Sequence, residues 1–181
     1  AETVKNMPEN VLVTTDDEEI KLLSTMFGFK VIDRPHHLAT DTASVRDVLI
    51  HAAEAGCLNP HDIMVLLYLT YPERTAYDIA EGLRFFMYNQ AESMLCRIDP
   101  MTHPFLCMYE NGLRGEQVVG HDFCRRQDYP PVFEIRHFLG VFRVSVLPAL
   151  NKNLYNKETL FWKRPRTVDV DTKEDMDKLC V

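Results

Sequence analysis

The sequence contains no apolar run long enough to cross a bilayer and no signal-peptide pattern at its start, so neither membrane nor export is indicated. No G-x-G-x-x-G follows any strand-like run, which sets aside a dinucleotide-dependent oxidoreductase. Positive charge is in deficit: 20 Lys and Arg against 27 Asp and Glu give a net charge of −7, with a pI near 5.5. A non-specific nucleic-acid binder usually shows a basic surface, and the cluster Lys163-Arg164-Pro165-Arg166 is only local. Cysteine is sparse, with Cys57, Cys96, Cys107, Cys124 and Cys180 at irregular spacings. An odd number in a chain of this size points to reduced thiols and a cytoplasmic location, not to a disulfide framework. Internal repeats and low-complexity tracts are absent too.

What is present is an ordinary globular composition, 46% hydrophobic, enough for one domain over 1–181 with a sizeable core. Val11-Leu12-Val13 reads as a short buried strand, and Asp17 to Phe27 has helical spacing at Ile20, Leu23 and Phe27, closed by Gly28. The succession recurs twice. Phe29 to Ile32 is strand-like before a helix from Ser44 to Ala55, and the apolar run Ile63 to Leu69 precedes a helix from Thr75 to Tyr88. Such alternation predicts an α/β fold with a mostly parallel sheet and helices on both faces.

After Tyr88 the texture changes. Ser93 to Ile98 is strand-like, and the stretch up to Pro131 is rich in Pro, Gly, His and charge, so 93–133 reads as a protruding excursion. Ile135 to Val146 is β-favouring, a long helical or irregular stretch follows, and Thr167 to Val170 is predicted as the last strand before a terminal helix. Ala1 to Asn10 read as the tail of a helix or a loop entering a strand. Because the chain opens with Ala1 and not Met, a missing upstream segment is expected.

In an open parallel sheet, ligands collect at the carboxyl ends of the strands. The ending with the clearest chemistry is Val168-Asp169-Val170-Asp171-Thr172, where two carboxylates one apolar residue apart share a face of the predicted strand. That arrangement suits Mg²⁺ shared with substrate phosphate oxygens. Thr172-Lys173-Glu174-Asp175 is equally a capping box with an acidic first turn, a reading in which Asp171 and Asp175 serve only the helix N-terminus. The pairs His103-x3-Cys107 and His121-x2-Cys124 could supply four zinc ligands, although they match no zinc-finger spacing and sit beside the apolar anchors Phe105, Leu106 and Phe123.

Five ordered motifs carry a family resemblance. They are Thr14-Thr15-Asp16-Asp17-Glu18-Glu19-Ile20, Arg34-Pro35-His36-His37-Leu38-Ala39-Thr40-Asp41-Thr42-Ala43-Ser44, Leu67-Tyr68-Leu69-Thr70-Tyr71-Pro72-Glu73-Arg74-Thr75, Arg125-Arg126-Gln127-Asp128 with Pro130, and Val168 to Asp171. In order, they resemble the S-T-D-D-x-x-I, R-P-x-x-L-A-x-D-x-A-S, L-Q-P-T-S-P-L-R-T, R-R-Q-D-x-P and I-D-I-D motifs of the cytidylyltransferases that activate acidic keto-sugars, the CMP-sialic acid synthetase family. The third is a degraded copy. The resemblance implies a Rossmann-like nucleotidyltransferase fold, CTP and an acidic keto-sugar as substrates, Mg²⁺ as cofactor, and a homodimer built through the excursion. The sugar's anomeric hydroxyl would attack the α-phosphate of CTP and expel pyrophosphate.

By the same resemblance, Asp169 and Asp171 are the catalytic, metal-holding pair. Arg34 would hydrogen-bond the cytosine edge, whose carbonyl and ring nitrogen suit a planar guanidinium. Backbone around Ala43 would contact the base and Ser44 would lie beside the nucleotide, while Asp41, Thr42 or Ser44 could equally cap the following helix. Arg126, supported by Gln127, would face the sugar carboxylate. Arg74 reads as well as a structural salt bridge as a ligand contact. Tyr68, Arg136 and Gly140 would line the sugar pocket.

The departures matter as much. The family's first strand and lysine-containing phosphate loop have no counterpart, so an incomplete copy is expected. Arg136 stands in place of Asn, Gly140 in place of Tyr, and Tyr68 in place of Gln, which opens the pocket to a related nonulosonic or octulosonic acid. The alternative is a non-catalytic nucleotide-sugar or partner-binding relative that kept the fold and lost the phosphate loop.

Overall fold

The computed structural model describes residues 11–177 and 179, so the expectation for Ala1 to Asn10 lies outside the described residues. Strands β1 (Leu12–Thr15) and β2 (Lys30–Asp33) pair in parallel, Val13 opposite Val31 and Thr14 opposite Ile32. Helix α1 (Glu18–Met26) connects them. It begins where the Asp17 carboxylate accepts from the Ile20 amide at 2.9 Å, with Glu18 and Glu19 in the first turn where the helix dipole favours negative charge. Gly28 then turns the chain at φ 77°, a conformation glycine adopts without a Cβ clash. Ser24 is the buried residue of α1, and its apolar stripe Ile20, Leu23 and Phe27 stays 40%, 48% and 47% exposed.

The main sheet has the order β3-β7-β4-β8, formed by β3 (Ile63–Leu66), β7 (Glu134–Arg143), β4 (Ser93–Ile98) and β8 (Leu160–Lys163). β7 is antiparallel to both neighbours and β4 is parallel to β8, so three strands run one way and β7 alone is reversed. The expected mostly parallel sheet is therefore present with one reversal.

Helix α2 (Val45–Ala55) covers one face and α3 (Ala76–Tyr88) the other. Strand alternation sorts the core between them. Met94, Cys96 and Val141 pack with Ile79 and Phe86 of α3, whereas Leu95 and Phe142 pack with Leu49 and Ala53 of α2. At the start of α3, Thr75 and Asp78 form a reciprocal capping box. Arg164, just past β8, pairs with Asp78 and with Glu81 at 2.9 Å and lies 4.4 Å over the Trp162 ring, tying the sheet edge to that helix.

Two boundaries differ from expectation. Ser93–Ile98 is a buried central strand, so the excursion starts only at Asp99. It carries the exposed hairpin β5 (Met108–Asn111) and β6 (Arg114–Gln117), closed through Gly112 at φ 61°. The last strand is Leu160–Lys163, inside the stretch expected to be helical or irregular, and the predicted strand Thr167–Val170 is an irregular segment. A short terminal helix, α4 (Lys173–Asp177), follows as expected.

Candidate active site

The site grows out of an irregularity in β7. Met94 of β4 faces Val141, but Cys96 faces Arg136, two steps on one strand against five on the other. The intervening residues bulge out of that ladder and leave carbonyls to be satisfied elsewhere. Arg74, 7% exposed, donates to the Phe138 carbonyl at 2.5 Å and to the Tyr68 carbonyl at 2.7 Å. The Cys96 thiol lies 3.5 Å from the Leu139 carbonyl. Arg74 is thus a buried tie between two chain segments, one that lies 5.8 Å over the Phe138 ring. The bulge also seats His137 against Tyr68, ring centres 5.5 Å apart. Burial lowers the His137 pKa and raises that of Tyr68, so both are neutral near pH 7.

Beyond β8 the chain docks against the loop that follows β3. The Val170 amide donates to the Thr70 carbonyl at 2.8 Å, and the Val168 amide to the Glu73 carboxylate at 3.2 Å. Asp169 is thereby brought to Tyr71, whose hydroxyl donates to Asp169 Oδ2 at 2.6 Å. The same oxygen lies 3.5 Å from Arg136 Nη1. Burial first, and the Asp169 bond second, push the Tyr71 pKa up, keeping the phenol a donor. Arg136 also pairs with Glu134 at 3.0 Å, and Arg166 takes the other Glu134 oxygen at 3.0 Å. The result is a chain of alternating charge, Arg166, Glu134, Arg136 and Asp169, ending on a phenol.

Asp171 behaves differently. The cap of α4 is completed by Thr172 and Asp175, with the Thr172 amide and hydroxyl donating to Asp175 Oδ2 at 3.0 and 2.8 Å. Asp171 is exposed and makes no hydrogen bond or ion pair among the described residues. Mg²⁺ typically takes one or two protein carboxylates and completes its shell with phosphate oxygens and water. Asp169 and the unengaged Asp171 are the donor types Mg²⁺ takes, although 167–170 is irregular and no strand sets the two on one face.

On the nucleotide side, Arg34 donates to the Thr14 carbonyl and lies 3.5 Å from the Thr14 hydroxyl, which fixes it at the end of β1. The Ala43 amide closes a turn onto the Thr40 carbonyl at 3.0 Å. Ser44 is the N-cap residue of α2, yet its side chain makes no capping bond, and its Oγ is buried without a hydrogen-bond partner among the described residues. Arg34 follows β2 and Ser44 opens α2, and no hydrogen bond or ion pair among the described residues joins either of them to Asp169.

On the excursion, Arg125 forms a bidentate pair with Asp128 at 2.8 and 2.9 Å. Arg126 and Gln127 are exposed in the adjacent 3-10 turn, and Arg126 has no side-chain partner among the described residues. Arg126 lines a cleft of about 550 Å³ with Tyr129. A second cleft of about 420 Å³, lined by Glu134, Arg136 and Arg166, shares Pro100, Met101, Thr102 and Val132 with the first. Gly140 does not join them. It is buried, and the Phe142 ring stands 2.8 Å from where its Cβ would be.

The possible zinc pairs do not converge, since no group of three or more His, Cys, Asp or Glu among the described residues could hold a metal ion. His103 and His121 instead bond the carbonyls of Pro130 and Phe105 at 3.0 and 2.9 Å. With Phe105, Phe123 and Tyr129 they form a small aromatic core of the excursion. Tyr71, His137, Glu134 and Arg166 carry no motif-level signal as site residues. Tyr71 alone is marked, as the place where Tyr replaces Ser in the third motif.

The sheet has a single reversed strand and helices on both faces, with Asp169 and Asp171 beyond its last strand. CMP:2-keto-3-deoxy-manno-octonic acid synthetase complexed with CTP superposes with a TM-score of 0.63 at 15% identity, over 94% of this chain and 79% of that one. No family model matches the chain. Post-translational flagellin modification protein B of Campylobacter coli is 24% identical over 177 residues, 93% of this chain and 74% of that protein. The N-acylneuraminate cytidylyltransferase of Streptococcus agalactiae serotype III is 24% identical over 178 residues, 92% of this chain and 41% of that protein. The chain thus spans less than half of the streptococcal relative and counts N-acylneuraminate cytidylyltransferases among its homologues.

Proposed function

We propose that the chain acts as a CTP-dependent cytidylyltransferase that transfers CMP to an acidic keto-sugar. The anomeric oxygen bonds to the α-phosphorus of CTP, the bond from that phosphorus to the bridging oxygen of the β-phosphate breaks, and pyrophosphate leaves. The hydroxyl proton passes to solvent. Asp169 and Asp171 would hold Mg²⁺, which when bound neutralises charge on the phosphates. Arg34, beyond β2, and Ala43 and Ser44, at the start of α2, orient the nucleotide. Arg126, with Gln127, presents an unpaired cation to the sugar carboxylate, and Tyr68 and Arg136 bound the sugar end. The single observation that carries the reading is Asp171, a carboxylate without structural employment beside a cap completed by its neighbours.

A homodimer formed through the excursion is part of the proposal, supported by Met101, Tyr109 and Leu113 standing 83%, 60% and 107% exposed there. Cytoplasmic placement is supported by the free thiols of Cys57, Cys96, Cys107 and Cys124. No helix among the described residues is long and apolar enough to cross a membrane. The non-catalytic alternative is less well supported, because it leaves Asp171 and Arg126 without a task.

The test is pyrophosphate release with Mg²⁺ and CTP against a panel of eight- and nine-carbon keto-acids, with ATP, GTP and UTP as controls. CTP-specific release with one sugar establishes the reaction. Silence across the panel from folded protein moves the assignment to a binding role.

A further inference from the structure

Arg136 belongs to two features at once. It lines the 420 Å³ cleft with Arg166 and Glu134, and it contacts the Asp169 oxygen that also accepts from Tyr71. Its contact with Asp169 is loose at 3.5 Å, and its buried Nε has no hydrogen-bond partner among the described residues, so the guanidinium is incompletely satisfied. Tyr71 and Arg136 are both departures from the motifs described above, and both converge on the same carboxylate oxygen.

We propose that Tyr71 and Arg136 form a latch on Asp169, and that an anion entering the Arg136–Arg166 cleft releases it to a divalent cation. The inference rests on the proposed metal role of Asp169. In the resting arrangement, two guanidinium groups and two carboxylates balance. A cation placed on Asp169 alone strands Arg136 beside it, and an anion placed on Arg136 alone strands Asp169. The two together keep the balance, so each favours the other, and linkage requires the effect to be reciprocal. The occupant of the cleft is a small carboxylate other than the sugar carboxylate given to Arg126, because a carboxylate is the group a guanidinium fork receives best.

Mn²⁺ binding followed by electron paramagnetic resonance, without nucleotide, tests the latch directly. Arg136→Met keeps an unbranched apolar stem and removes the charge, and should bind Mn²⁺ about fivefold or more tighter than the wild type. Tyr71→Phe removes one hydroxyl and keeps the ring, and should show a smaller gain. Pyruvate should tighten Mn²⁺ binding to the wild type, its uncharged methyl ester should not, and Arg136→Met should respond to neither. Equal or weaker Mn²⁺ affinity in both variants would overturn the latch, and a wild type indifferent to pyruvate would overturn its release by anions. Pyrophosphate release read on the same preparations separates the two failures. Turnover with equal Mn²⁺ affinities removes the latch and leaves the transferase, whereas no Mn²⁺ binding by any of the proteins in the presence of CTP removes the metal role of Asp169.

Discussion

The guanidinium of Arg74 donates to the carbonyl of Phe138 where β7 slips out of register with β4, and its other arm holds the carbonyl of Tyr68. One side chain therefore fixes both walls that carry Tyr68 and His137. Replacing it leaves two carbonyls without their charged donor in a nearly dry setting. Arg74→Met should cost about 3 kcal/mol in urea unfolding, with Arg74→Lys recovering only part because an ammonium lacks the planar fork. A loss under about 1 kcal/mol would mean the bulge is held by other contacts.

Asp171→Asn separates chemistry from stability. The side chain is exposed and bonded to nothing among the described residues, so unfolding should shift by less than about 0.5 kcal/mol. Turnover should fall about 100-fold or more, because a neutral amide is a poor Mg²⁺ ligand and no longer offsets the cation. Unchanged pyrophosphate release would end the metal assignment.

A large aromatic at Gly140 should not be accommodated. Phe142, fully buried, stands 2.8 and 2.9 Å from the added Cβ. Gly140→Tyr is expected to destabilise by about 2 kcal/mol or more through overpacking, read as a lowered melting temperature. A melting temperature equal to that of the wild type would show that the ring moves aside.

Cys96 gives a pH-dependent prediction. Burial pushes its thiol up to about 12. At pH 8, a thiol reagent should label the exposed Cys57 and Cys124 in the native protein and reach Cys96 only after unfolding, as mass spectrometry of the peptides would reveal. The unfolded chain gives up this proton near pH 9 and the native chain only near 12. Stability from this group is therefore complete below pH 9 and is lost as pH rises toward 12.

Most of the fold was legible because its helices and buried strands obey simple periods. Asp17 and Thr75 mark the starts of α1 and α3, and Gly28 marks a stop. Leu160–Lys163 escaped because four residues of mixed character give too little alternation to read. Thr167–Val170 misled because V-D-V-D imitates a strand, whereas Arg164 is drawn to Asp78 and Glu81 and the chain leaves the sheet there. Asp169 and Asp171 were readable as a pair, but the partner of Asp169 was not. Tyr71 is 98 positions away, and only the docking of 168–170 onto the β3 loop brings them together. Arg136 was read for its identity as a substitution, while its reach to both Glu134 and Asp169 depends on a bulge that no local pattern encodes.

The division into a two-stranded layer and a four-stranded sheet sets a hierarchy of amide protection. Among the described residues β1 and β2 pair only with each other, α1 above them buries little, and an isolated strand pair is marginal by itself. Deuterium should enter Val13, Thr14 and Ile32 through local opening well before it enters Leu95 or Val141, which exchange only with global unfolding. Exchange in that order would make the half that carries Arg34 a less stable unit than the half that carries Asp169, and a nucleotide bridging the two would act as their clasp.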